Sequence, residues 1–167
     1  MRFLRGLFGV FLTCWCINSV HAADVSAYPT RPIRMLVPFA AGGGVDIAAR
    51  VVGEKMAARL GQAIIVENRP GAGGNIAMDL VARADPDGYT LIMSGAGPTA
   101  MNVGLYSSLP FDPVKDFAPV GLVASTVYAL VIHPDIRARS LQQLLDLAKK
   151  EPGKLSFASP GIGAPPH

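Results

Sequence analysis

The sequence predicts an α/β fold built on a mostly parallel sheet, and three observations carry that prediction. Apolar runs of strand length, beginning at Ile33, Ala63 and Tyr89, alternate with segments whose apolar residues recur at three- and four-residue steps. Each of these runs feeds a turn rich in small residues, and the connections are short, as in right-handed strand–helix–strand units of one sheet. The 18 glycines and 14 prolines also fit many short connections better than a helical bundle. In such a sheet, ligands bind at the carboxyl ends of strands, near the point where strand order reverses.

Residues 1–22 read as a secretory signal peptide cut after Ala22. Arg2 and Arg5 precede the apolar run Gly6 to Ile17, and Val20-His21-Ala22 supplies small residues for cleavage. A membrane anchor fits less well, because a spanning helix needs ~20 apolar residues. Cys14 and Cys16 both lie in this segment, so no disulfide is expected after cleavage, despite an oxidising destination. Loss of Arg2 and Arg5 takes the net charge from +3 to +1, which argues against a nucleic-acid partner.

Tyr28-Pro29 and Arg31-Pro32 favour an extended entry into a first strand, Ile33 to Val37. The stretch Val37-Pro38-Phe39-Ala40-Ala41-Gly42-Gly43-Gly44-Val45-Asp46 follows. A helix from Val45 to about Leu60 is expected to bury Ala48, Val51, Val52, Met56 and Leu60, with Gly61 stopping it. Ala63 to Val66 is a second strand, followed by Arg69-Pro70-Gly71-Ala72-Gly73-Gly74 and a helix from Asn75 to Ala84. Asp85-Pro86-Asp87-Gly88 is a turn. Tyr89 to Met93 is a third strand, Ser94 to Pro98 a third turn, and Thr99 to Tyr106 a short helix. Prolines punctuate 109–119. Val120 to Ala124, Val127 to Ile132 and Leu155 to Ala158 read as further strands, and Ser140 with Gln143 as a capping box for a helix to Lys150. Ser159-Pro160-Gly161-Ile162-Gly163 is a fourth glycine turn.

The turn after the first strand admits two readings. Glycines let backbone N–H groups approach a ligand closely, and the helix N-terminus behind them favours an anion. The same residues also make a plain strand-to-helix connection. Asp46 suits the positive end of a helix dipole, and it can equally contact a ligand ammonium or hold a water. Phe39 lines either a cleft or the core, and Arg69 meets either a carboxylate ligand or a neighbouring acid.

Nothing in the sequence reads as a catalytic or metal site, and no cofactor is expected. His21, His133 and His167 have no zinc-type spacing, and there is no Gly-x-Ser-x-Gly elbow. Asp85 and Asp87 are turn formers. Gly71-Ala72-Gly73-Gly74-Asn75-Ile76 begins like a dinucleotide fingerprint but has Ile76 where the third glycine belongs.

Tyr28-Pro29, Pro32-Ile33-Arg34, Val37 to Gly44 and Asp46 together resemble the start of a Bug-type receptor, the substrate-binding protein of a tripartite tricarboxylate transporter. Val66 to Gly74, Pro86 to Leu91, Asp116 to Val120, Pro152 to Leu155, Gly161 and Gly163 extend the resemblance over essentially all the chain after the signal segment. It implies a periplasmic binding protein-like (type II) two-lobe fold that closes over small carboxylates, with membrane permease components as partners and a monomeric receptor. The first lobe would span 23–125, and 126–167 would begin a truncated second lobe, since family members continue well past this end. By resemblance the ligand contacts are Phe39, Ala40, Gly42, Gly43 and Asp46 from the first lobe, with Ser159, Gly161 and Gly163 from the second. Three positions depart from the family. Val45 stands where Ser or Thr is usual, Asn102-Val103 replaces Asn-Pro, and Ala164-Pro165-Pro166 departs from Ser-x-x-His. The expected function is a solute-binding receptor, or a fragment of one, without chemistry. The alternatives are a secreted α/β hydrolase-like enzyme and a non-functional remnant.

Overall fold

The computed structural model describes residues 28–159, 161–164 and 167, so the expected signal peptide at 1–22 lies outside the described residues. Strand β1 (Ile33–Val37) leads through the glycine turn into helix α1 (Gly44–Leu60). Strand β2 (Ile64–Asn68) leads through one 3-10 turn (Ala72–Gly74) into α2 (Asn75–Ala82). Strand β3 (Thr90–Ile92) is followed by a π-helical turn (Gly97–Met101), the short helix α3 (Asn102–Leu105) and, further on, α4 (Leu141–Lys150).

The sheet order is β2-β1-β3, with both pairings parallel. Ile33 to Val37 pair with Ile64 to Asn68, and Arg34 to Leu36 with Thr90 to Ile92. β1 is therefore the central strand, and of its residues only Arg34 is exposed. A parallel strand covered on both faces reads as a near-continuous apolar run, and β1 does apart from Arg34. The chain leaves β1 toward β2 and then returns past β1 to β3. Right-handed connections place α1 and α2 on opposite faces, so the strand order reverses at the β1/β3 boundary.

The buried stripe of α1 differs from the expected one. Asp46, Ala49 and Gly53 are buried, with Val45 and Met56 packed beside them, whereas Val51 is 56% exposed and Leu60 36%. Small residues win because they let the helix lie close to the sheet. A Cβ on Gly53 would stand 3.2 Å from Ile64 Cγ2. Gly61 ends α1 in the left-handed conformation, its N–H donating to Ala57 O, as expected.

Three expected strands are absent. Residues 120–124, 127–132 and 155–158 form no strand in the described structure, and Val120, Leu122, Val127 and Val131 are more than 80% exposed. Apolar runs become strands only when another strand takes up their backbone N–H and C=O groups, and here no described strand lies beside them. Helix α4 starts where expected, with Ser140 Oγ accepting from Gln143 N–H at 3.3 Å. The return bond is shifted by one residue, because Gln143 Oε1 accepts from Arg139 N–H. Among the described residues no helix is long and apolar enough to cross a membrane.

Candidate functional site

The chain leaves β1 because Pro38 cannot continue the ladder, and the last β1 carbonyl, Val37 O, accepts from Arg69 N–H at 2.8 Å. Gly42 follows at φ 83, a left-handed conformation that a side chain would strain. Gly43 is the N-cap of α1 and is extended, with its carbonyl taken by Ile47 N–H and no side chain capping the helix. Residues 40–44 are exposed. Among the described residues, the N–H groups of Gly43, Gly44 and Val45 have no intramolecular acceptor. Free donors at a helix N-terminus, next to the strand-order reversal, are the chemistry of an anion site.

Asp46 sits behind this turn and is 3% exposed. Its Oδ2 accepts from Gly42 N–H at 2.8 Å and from Arg50 Nε at 3.2 Å. Its Oδ1 accepts from Asn68 Nδ2 at 3.0 Å and lies 3.0 Å from Arg50 Nη2. The Gly42 amide, the Arg50 guanidinium and the Asn68 amide together hold the carboxyl down at about 2. Both oxygens are already engaged inside the protein. Arg50 and Asn68 were not among the sequence candidates. The Asp46–Arg50 spacing of four residues was a usable signal for the first. Nothing local pointed to Asn68, which reaches Asp46 across 22 positions of sequence.

Phe39 is half-buried, and its carbonyl accepts from Asn68 Nδ2 at 3.0 Å. A Cβ on Gly95 would lie 3.7 Å from its ring, so Phe39 bridges the turns after β1 and β3. Arg69 is committed to Glu67 at 3.0 Å, and Arg34 grips the same carboxylate at 2.8 and 3.1 Å. Arg69 is thus a salt-bridged loop arginine.

The expected contacts from the end of the chain reach the same sheet edge by another route. Gly161 N–H donates to Ser159 Oγ at 3.1 Å, and Ser159 Oγ pairs with His167 Nδ1 at 2.7 Å. Ile162 O accepts from Tyr106 OH at 3.2 Å. A Cβ on Gly97 would collide with Gly163 O, and one on Gly73 with Ile162 O. The segment around Gly161 and Gly163 therefore rests on the turns after β2 and β3. Its recorded contacts are to Gly73, Gly97, Asn102 and Tyr106 rather than to Phe39–Asp46. The structure brings the two groups of candidates to one edge without joining them.

The second glycine turn is packing rather than a phosphate cradle. A Cβ on Gly74 would stand 2.9 Å from Pro98 and 3.0 Å from Pro38, and one on Gly71 2.5 Å from Ile76. Among the described residues no group of three His, Cys, Asp or Glu side chains could hold a metal. Two open cavities, of about 310 and 360 Å³, lie away from the glycine turn, one lined by Arg31, Arg34 and Arg83, the other by Tyr106 and Phe111.

A sequence model described as the tripartite tricarboxylate transporter family receptor matches residues 48–167. Protein BugT of Bordetella pertussis is 38% identical over 168 residues, covering 100% of this chain and 51% of BugT. Rpa4515 of R. palustris, solved with adipate, matches with a TM-score of 0.78 and 33% identity, over 82% of this chain and 46% of its own. The periplasmic binding protein BugD matches with a TM-score of 0.70 and 38% identity, over 83% of this chain and 46% of its own. The chain spans about half the length of the curated relatives it matches. The α/β sheet seen here is thus part of the fold of periplasmic binding proteins, and these matches lend the hydrolase alternative no support. With the family pattern running from position 48 to position 167 and the fold shared with solved binding proteins, the chain belongs to the receptor family of tripartite tricarboxylate transporters.

Proposed function

We propose that this chain is the carboxylate-reaching part of a periplasmic solute-binding receptor that delivers its ligand to membrane permease components. One observation carries the reading: Gly43 and Gly44 present free N–H groups at the N-terminus of α1, beside the strand-order reversal. Adipate in Rpa4515 supports a dicarboxylate or similar small acid as the ligand class. Phe39, Ala40, Gly42 and Gly43 form the first-lobe side of the site, while Asp46 acts from behind it. Ser159, Gly161 and Gly163 belong to the facing side. Residues 1–22 are a cleaved signal, 23–125 the first lobe and 126–167 the opening of a second lobe, in a receptor that works as a monomer without catalysis. The confinement of the sheet to residues 33–92 supports that division.

The test is a titration of the isotope-labelled chain with succinate, adipate, citrate and glutamate, followed at the backbone amides. Shifts concentrated at residues 39–46 are expected. Shifts confined to the arginine-lined cavity at Arg31, Arg34 and Arg83 would move the site to the opposite end of the sheet. A Gly43→Val variant sharpens the result. In the unliganded turn a Cβ at this position meets only Ala40 O, at 3.5 Å, so the fold should tolerate valine while the ligand's path to the amides is blocked. Unchanged binding by Gly43→Val would remove this turn from the site.

A further inference from the structure

An anion site at this turn faces a difficulty. The Asp46 carboxylate stands 2.8 Å from the nitrogen of Gly42, so a negative charge lies directly behind the donors that are to receive a carboxylate. A bound carboxylate would be repelled by that like charge wherever water is partly excluded. Arg50 meets that charge with a two-pronged grip, Nε to Oδ2 at 3.2 Å and Nη2 to Oδ1 at 3.0 Å. Asn68, the last residue of β2, closes the arrangement. Its Nδ2 donates to Asp46 Oδ1 and to Phe39 O, both at 3.0 Å, and its Oδ1 accepts from Arg50 Nη2 at 3.0 Å. Three side chains thus close on one another and on two backbone atoms of the turn, Phe39 O at its start and Gly42 N in its middle.

We infer that Arg50 and Asn68 are positioning residues of the binding turn, Arg50 cancelling the Asp46 charge behind it and Asn68 fixing its start against the helix. The neutralised cluster leaves the N–H groups of Gly43 and Gly44 as the dominant field at the turn, so it selects an anion. With Asp46 left uncancelled, the same turn would favour an ammonium group. This inference rests on the carboxylate-binding reading above and specifies how the turn achieves it.

The experiment titrates succinate into the full labelled chain and into four variants, reading the amides of Gly42, Gly43 and Gly44. Arg50→Gln is expected to weaken succinate binding roughly tenfold or more, because it leaves the buried carboxylate with its amide hydrogen bonds but without a counter-charge. Arg50→Lys keeps the charge but loses the two-pronged grip and the contact to Asn68, so its affinity is expected to fall between those of the parent and Arg50→Gln. Asp46→Asn combined with Arg50→Gln removes both charges and is expected to recover most of the lost affinity. A double variant as weak as Arg50→Gln alone would overturn the charge-cancelling role. Asn68→Ala is expected to shift the Phe39 to Gly42 resonances and weaken binding severalfold, read well below its melting temperature. If the parent chain shows no response to any carboxylate, the binding reading falls, and the positioning role is judged without ligand. In that case Arg50→Gln must raise the carboxyl pKa of Asp46 from about 2, and Asn68→Ala must move the turn resonances. Either one failing would overturn the inference.

Discussion

Two carboxylates, Asp46 and Glu67, make the acid side of the stability curve predictable from individual contacts. Glu67 is held down at about 2, first by the Arg34 guanidinium at 2.8 and 3.1 Å and then by Arg69 at 3.0 Å. Asp46 is held at a similar value by Gly42, Arg50 and Asn68. Each group is a stronger acid folded than unfolded, so its ionised form stabilises the fold. That stabilisation is complete above the ordinary values of 4.5 and 3.8 and is lost as pH falls through about 2. The melting temperature is therefore expected to hold from neutral pH to about pH 5 and then to drop steeply toward pH 2. Glu67→Gln should flatten part of that drop, and thermal melts across the range check it. A parent and variant with parallel acid limbs would show that the Arg34–Glu67 pair is too screened to matter. At this scale the sequence was only partly legible. Asp46 at a helix start was visible from its neighbours, whereas its clamp by Asn68 is a contact made only when β2 docks beside β1.

At the level of elements, α1 shows where periodicity misleads. Large apolar residues at Val51 and Leu60 suggested the buried face, but the helix turns Ala49 and Gly53 to the sheet and leaves Val51 more than half exposed. Hydrophobicity scales rank side chains by size, while close helix–sheet contact selects for the lack of it. Gly53→Leu is expected to cost about 1–3 kcal/mol, because the added side chain must displace Ile64 or lift the helix. Val51→Thr should change stability by less than about 0.5 kcal/mol, as an exposed substitution. Urea unfolding of the two variants decides between the faces, since the reverse ranking would restore the face read from the sequence. The other elements were readable because their signals are local: β1 was found residue for residue, Gly61 as the helix stop, and Ser140 as the cap of α4. The runs at 120–124, 127–132 and 155–158 were read as strands on composition alone, and composition cannot supply a pairing partner.

For the whole molecule, the described structure divides into a tied part and an open part, and binding should show the consequence. Residues 33–92 carry the sheet, and the segment before it is fastened by Tyr28 OH to Gly88 O and by Arg31 to Asp87, both at 2.7 Å. Beyond Thr126 apolar residues such as Val127, Leu130 and Val131 stand open to solvent. Amide exchange is therefore expected to be slow across 33–95 and fast beyond about Thr126, and uniform protection would show a second packed unit in solution. A binding protein gains affinity when facing loops close and exclude water from the ligand's hydrogen bonds. In this chain the Gly42-Gly43-Gly44 turn is exposed, so a carboxylate bound there would stay wet. A charge-assisted hydrogen bond contributes about 1.5–3 kcal/mol net. Two or three such bonds at an open site correspond to about millimolar affinity. The chain of 167 residues is thus expected to bind succinate or adipate only weakly, and a longer relative chosen for a matching glycine turn is expected to bind its own acid far more tightly. Calorimetry on both proteins makes the comparison. Micromolar binding by this chain would overturn the open-site argument, because the segment around Gly161 and Gly163 makes its contacts with Gly73, Gly97, Asn102 and Tyr106 and not with the turn after β1.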